Sequence, residues 1–152
     1  MTVPDKNVLA GCAAALLLTG ALLVGSGCAS GAWQTRLGRD HALTGRIWDV
    51  SAASFVDGRT LVSRLARGRF VLLGEKHDNP DHHVLQARLL RALIAVGRRP
   101  AVGFEMFNTD DAPAIATHLA SAPTDAAGLG EAVGWDERGW PDWATYQPIA
   151  QV

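Results

Sequence analysis

"RFVLLGEKHDNPDHHVLQARLLRALIAVGRRPAVGFEMF" (residues 69–107) decides the fold. Its opening, "RFVLLGE", is a continuous apolar run without polar alternation, the pattern of a parallel strand covered on both faces. Asn79 and Pro80 then supply a helix N-cap and a first helical residue, and Asp81 falls where the positive end of the helix dipole lies. Leu85, Leu89, Ala92, Leu93 and Val96 recur at steps of three and four, which predicts a helix with these residues as its buried stripe. Gly97 ends that helix. A second apolar run, residues 101–107, follows. Strand, helix and strand in fewer than 40 residues make a βαβ unit with a right-handed crossover. The expected class is therefore α/β, a parallel sheet built from βαβ units with helices packed on it.

On the N-terminal side the pattern is weaker. "GRIWDV" (residues 45–50) alternates and reads as a short strand. The Asp57-Gly58 pair in "SAASFVDGRT" is a turn signal, so residues 47–55 are expected to fold back there as a hairpin. Leu61, Val62 and Leu65 then recur at helical spacing, with Gly68 as a stop. Beyond the βαβ unit, "TDDAPAIATHLA" predicts a helix started by Asp110 or Asp111. A weaker helix in "TDAAGLGEAVG" is interrupted by Gly128 and Gly130. The last segment is aromatic, with Trp135, Trp140, Trp143 and Tyr146.

The first 28 residues differ from all of this. A short polar start carrying one lysine precedes an apolar stretch, residues 8–24, and a small-residue site before Cys28, the organisation of a secretory signal. Residues 8–24 are short for a spanning helix, which needs roughly 20 apolar residues, so a retained anchor is the second reading. Cys28, with the apolar stretch ahead of it, is the candidate for lipidation rather than Cys12. Acyl chains there would add about 0.8 kcal/mol of membrane affinity per buried methylene. Residues 29–44 form a tether, and residues 45–152 the domain. That domain lacks cysteine, which excludes disulfides, thiolate metal sites and cysteine nucleophiles from it. A net charge of -1 gives no electrostatic case for a nucleic-acid partner.

Three of the chain's five histidines lie in "GEKHDNPDHH" (residues 74–83). Ligands of open α/β sheets bind beyond the carboxyl ends of the strands. The first strand ends at Glu75 and the second near Glu105. His77 and Asp78 fall in the intervening loop, and His82 and His83 in the first helical turn. Glu75, His77, Asp78, His82, His83 and Glu105 are thus expected at one rim, with Gln86 one turn on to orient either helical histidine. Imidazole plus carboxylate is a ligand set for borderline divalent metals and, through histidine, for haem iron. It is equally an acid–base set. A helix N-terminus disfavours a protonated imidazole, which leaves its lone pair to donate. Each residue also has a structural reading. Glu75 and Asp78 can cap the helix, and His82 can sit at the core edge. Glu105, an acid inside "GFEMF", would need a partner if buried. His41 and His118 fall outside the cluster, as surface residues. There is no glycine-rich phosphate loop and no G-x-S-x-G elbow.

"VLLGEKHDNPDHHVLQARLL", then "GRRPAVGFEMF", then "GWDERGWPDWATYQPI" together resemble the ChaN-like haem-binding lipoprotein family. That family is related to TIKI-type metalloproteases and erythromycin esterase-like hydrolases. The resemblance spans residues 45–149. It implies an exported bacterial lipoprotein, membrane-anchored on the periplasmic side of the envelope, that binds haem, serves iron or haem uptake and forms a homodimer around the cofactor. Carried over by position, Glu75, His77, His82, His83 and Glu105 match the shared motif, and Tyr146, the only tyrosine, is a further candidate haem contact. His77, His83 and Glu105 are the candidates to hold iron or, in the alternative, a divalent ion. Phe104, Met106, Phe107 and the tryptophans are candidates for an apolar slot or for ordinary core. The second reading is a metal-dependent or acid/base hydrolase, with Glu75 and His77 catalytic. Family members are longer, and their second halves supply further strands and site residues. The expectation is accordingly a C-terminally truncated member with an incomplete domain, and a nonfunctional remnant is the third reading.

Overall fold

Helix α2 (Pro80–Ala95) forms where its local signals place it in the computed structural model, which describes residues 33–152. The signal segment, with Cys12 and Cys28, lies outside the described residues, as do the first residues of the tether. The Asn79 side chain accepts the Asp81 amide at 3.0 Å, a cap contributing about 1 kcal/mol. Pro80 holds the first turn. At the far end Gly97 adopts φ +88°, and the Arg98 amide reaches back to the Leu93 carbonyl at 3.0 Å. That left-handed closure would strain any side chain with a Cβ.

The buried face of α2 is only in part the expected one, since Leu93 alone of the predicted stripe is buried. His83, Ala87, Leu90 and Leu93 are buried, whereas Leu85 and Val96 are exposed and Leu89 and Ala92 only half-buried. The reason is the partner. Helix α5 (Trp143–Ala150) packs along α2 and selects the His83/Ala87/Leu90 side, while α1 (Gly58–Leu65) makes a smaller contact. Burying Leu90 and Leu93 contributes about 2 kcal/mol each.

The parallel sheet does not form among the described residues. The only sheet there is an antiparallel hairpin of β1 (Ile47–Asp49) and β2 (Ser54–Val56), so the architecture is mixed α/β with helices dominant. Its turn is at residues 50–53, where Ala53 takes φ +46°. Asp57, expected to make that turn, instead caps α1 by accepting the Thr60 amide at 2.7 Å. An ion pair between Asp49 and Arg64 ties the hairpin to α1.

The two apolar runs on either side of α2 are extended but unpaired. No backbone hydrogen bond joins residues 71–75 to residues 100–106. The first run nonetheless alternates as a strand does. Val71, Leu73 and Glu75 are half-buried, while Phe70 and Leu72 are 80% and 94% exposed. One face is covered by helices and the other is bare, in contrast to the two-sided burial expected. Gln86 Nε2 donates to the Leu73 carbonyl at 2.7 Å and fixes the run on α2. Both runs border one cavity of about 570 Å³, floored by Leu90 and Leu93 and closed by Tyr146 and Ile149.

The C-terminal third supplies the core. A 3₁₀ turn (Thr109–Asp111) opens on Asn108, whose side chain and that of Asp111 cap each other's backbone amides. Helices α3 (Ala112–Ser121) and α4 (Ala126–Ala132) follow, then a 3₁₀ turn (Trp135–Arg138) and α5. Met106, Leu129, Val133, Trp135, Trp143 and Tyr146 form one buried cluster, flanked by Phe104, Phe107, Ile115 and Trp140. Gly130 is required by packing: a Cβ there would stand 2.4 Å from Cγ of Trp143. Arg138 closes this region with a two-pronged pair to Asp111, at 2.8 and 2.5 Å, and a further bond to the Val133 carbonyl. That guanidinium holds the Asp111 carboxyl down at about 2.

Candidate functional site

The extended run ending at Glu75, the loop over residues 76–79 and the first turn of α2 converge as the sequence predicts. Their centre is Glu75. One of its carboxylate oxygens bonds Nδ1 of His77, and the other lies 3.4 Å from Nε2 of His83. The two histidines meet the carboxylate in different surroundings. The His77 side chain is 39% exposed, whereas that of His83 is wholly buried. With Nδ1 of His77 occupied by Glu75, Nε2 is the nitrogen left to meet a ligand. Trp140 stands edge-on to the His77 ring, at 5.0 Å between centroids.

His83 is a different kind of residue. Its ring lies 4.0 Å from that of Tyr146, and neither ring nitrogen has a hydrogen-bond partner; Oε2 of Glu75 has none either. The 3.4 Å approach is too long and poorly aimed to count as a bond. Burial pushes the pKa of His83 below its ordinary 6.5, with Glu75 opposing less strongly, so the ring is neutral at neutral pH. A neutral buried histidine binds a proton more readily once unfolded, so stability is complete above pH 6.5 and declines as pH falls below it. The urea midpoint is expected to drop between about pH 7.5 and about pH 5, and His83→Gln to flatten that slope. A variant as steep as the wild type would remove His83 from the account.

Tyr146 closes the site from below. It is buried, its hydroxyl donates to the His77 carbonyl at 3.3 Å, and burial, followed by the Glu75 charge, pushes its pKa up to about 12. It holds the loop in position as a neutral phenol.

The other candidates are placed apart from this centre. Nδ1 of His82 accepts the Lys76 amide at 2.9 Å and its Nε2 lies 3.3 Å from the Asn79 side chain, so it braces the loop. Asp78 is exposed beside Lys76 at 3.4 Å. Gln86 is committed to the Leu73 carbonyl and orients neither histidine. Glu105 is exposed, not buried, at a turn over residues 105–106 inside the second run; it borders the same cavity as Glu75 without a bond to it. Among the described residues no group of three or more His, Cys, Asp or Glu is arranged to hold a metal ion, so His77, His83 and Glu105 do not form a common metal site. His41 and His118 lie outside the cluster, the latter bonded to the Asp125 carbonyl at 2.7 Å. Met106, Trp135 and Trp143 are core, Phe104 and Phe107 pack against it, and Trp140 is the tryptophan beside His77. The contribution of α5, through Tyr146, was signalled in the sequence only by that residue's being the sole tyrosine and by its place in the resemblance of "GWDERGWPDWATYQPI".

A half-exposed imidazole held by a carboxylate whose side chain is only 10% exposed, on a loop entering a helix, is an arrangement able to present one imidazole nitrogen outward. The particular family is given by comparison: the model described as haem-binding uptake, Tiki superfamily, ChaN matches residues 61–152, and the chain belongs to that family. No curated protein and no solved structure matches the chain.

Proposed function

We propose that this protein binds haem at the Glu75–His77 loop, where Nε2 of His77 would hold the group's iron. The observation that carries this is the division of labour around Glu75: one imidazole exposed and oriented, the other buried. The donor chemistry fits the group. Imidazole is a common axial ligand, and a carboxylate on its second nitrogen fixes the ring and raises its basicity. The Trp140 ring beside His77 offers an apolar surface of the kind a porphyrin needs. The buried atoms of Glu75 and His83 without partners give the site hydrogen-bonding capacity that the fold itself does not use. Haem, when bound, would supply the iron chemistry; the protein's part is to orient His77, shield its inner face and keep Tyr146 neutral.

The same reading makes the protein an exported one. Its N-terminal apolar segment and Cys28 attach it to the membrane, and it serves iron or haem uptake. Haemin titrated into the full-length chain in mild detergent tests the first part. A saturable, shifted Soret band is expected, and an unshifted spectrum would reject the assignment. Cys28→Ser separating the protein from radiolabelled fatty acid tests the second.

The extended runs are, in the same proposal, two strands of a parallel sheet with open pairing positions in the cavity between them. Supporting this are the strict alternation of Val71 to Glu75 and the bare backbone edges of both runs. Amides of residues 71–74 and 101–104 should exchange with deuterium far faster than those of α2, and strong protection there would contradict open edges.

A further inference from the structure

Lys76 separates Glu75 from His77, and both polar groups of its backbone are held by the start of α2. Its amide donates to Nδ1 of His82 at 2.9 Å, and its carbonyl accepts the Asn79 amide at 2.8 Å. Asn79 is held in turn from the N-terminal side of the chain. The Thr35 hydroxyl donates to Oδ1 of Asn79 at 2.9 Å, while the Gln34 and Thr35 amides donate to the two oxygens of Asp81 at 2.9 and 2.8 Å. Asp81 is buried, and a buried carboxylate is tolerated only when its oxygens are satisfied, so these contacts belong to the fold. Residues 34 and 35, expected to be tether, form a strap across the first turn of α2.

We propose that His82 and Thr35 are positioning residues for His77: they hold the Lys76 peptide groups and so keep the Glu75–His77 pair assembled before a ligand arrives. The His77 side chain is 39% exposed, so its orientation comes from Glu75 and from the loop backbone rather than from enclosure. That backbone is fastened at the His77 carbonyl, by the Tyr146 hydroxyl at 3.3 Å, and at the two groups of Lys76. Turning the Lys76 peptides would carry the imidazole off the carboxylate, because Glu75 and His77 flank that one residue. His82 has committed its Nδ1 lone pair to the Lys76 amide, so it acts on the site through the loop. A ligand that meets a preassembled pair forfeits less in ordering the loop. The geometry stands by itself; only its consequence for binding rests on the haem reading above.

The acceptor on His82 and the hydroxyl on Thr35 can each be removed or restored. In His82→Asn the side-chain oxygen stands at the branch position of Nδ1 and still accepts the Lys76 amide, whereas His82→Leu keeps bulk without an acceptor. Thr35→Ser and Thr35→Val make the same contrast for the hydroxyl. In the full chain in mild detergent, long-range proton–nitrogen spectra locate the proton on the His77 ring. It sits on Nδ1 while Glu75 holds the ring and is shared between both nitrogens once the ring is free. His82→Leu and Thr35→Val are expected to lose the Nδ1–H signature and to bind haemin about 10-fold more weakly, and His82→Asn and Thr35→Ser to keep both. If His82→Leu fails to fold by circular dichroism, Thr35→Val, a change confined to the strap, decides the matter. A folded His82→Leu or Thr35→Val protein with the wild-type His77 signature would overturn the inference. A wild-type protein that shows the signature, loses it in these variants and yet leaves the haemin spectrum unshifted would sink the haem reading alone and uphold the positioning.

Discussion

Trp135→Ala is expected to leave little folded protein at 37 °C. Trp135 is 1% exposed and sits where the C-terminal elements meet, with Trp143 and Tyr146 rings each at 4.9 Å and Phe107 at 6.0 Å. Removing a buried tryptophan costs about 3–5 kcal/mol, against a total stability for a small domain of about 5–15 kcal/mol. The lower end of that range applies here, because one face of each extended run is uncovered and the described sheet has only two strands. Trp135→Phe separates packing from polarity. It keeps most of the ring contacts but drops the 2.8 Å bond from Nε1 to the Pro141 carbonyl, at an expected cost of about 1–3 kcal/mol. Urea denaturation followed by circular dichroism measures both. A Trp135→Ala protein within about 1 kcal/mol of the wild type would show that this cluster is not the core.

Much of the site was legible because its determinants are local. Asn79, Pro80 and Gly97 set the ends of α2 through bonds within a few residues of each, and the loop joining Glu75 to that helix brings His77 and His83 to one carboxylate. What failed depended on partners distant in sequence. The periodicity of α2 offered Leu85, Leu89, Ala92, Leu93 and Val96 as a stripe, of which only Leu93 is buried, because the buried side was chosen by α5, a helix with an internal Pro148 and no strong pattern of its own. His82 and Gln86 look like ligands in a string of residues, yet they are engaged inside the fold, His82 by the Lys76 amide and the Asn79 side chain and Gln86 by the Leu73 carbonyl. Asp57-Gly58 carries the same letters whether it turns a hairpin or caps a helix; the Thr60 amide, three residues on, decided it. The two apolar runs read as sheet strands from composition alone, but pairing needs neighbours, and the described residues provide none for either edge.

His77→Ala is expected to abolish the Soret shift and to weaken haemin binding by at least about 100-fold, since it deletes the donor and not merely its support. Glu75→Gln should act one step removed. An amide in place of the carboxylate still accepts one hydrogen bond from His77 Nδ1, but without charge, so about 10–100-fold weaker binding with a retained, displaced Soret band is expected. His83→Gln leaves the exposed imidazole and its orienting oxygen in place and should keep the band where it is. Tyr146→Phe tests the competing ligand. Its hydroxyl is buried against the His77 carbonyl with its pKa pushed up to about 12, so phenolate ligation would require the loop to open. The series therefore has a clear order: His77→Ala most severe, Glu75→Gln intermediate, His83→Gln and Tyr146→Phe mild. The reverse order, with Tyr146→Phe losing haemin and His77→Ala retaining it, would move the iron to the tyrosine. It would also require Tyr146 to leave the core that α5 shares with α2, a change that proteolysis within residues 76–79 would detect on adding haemin.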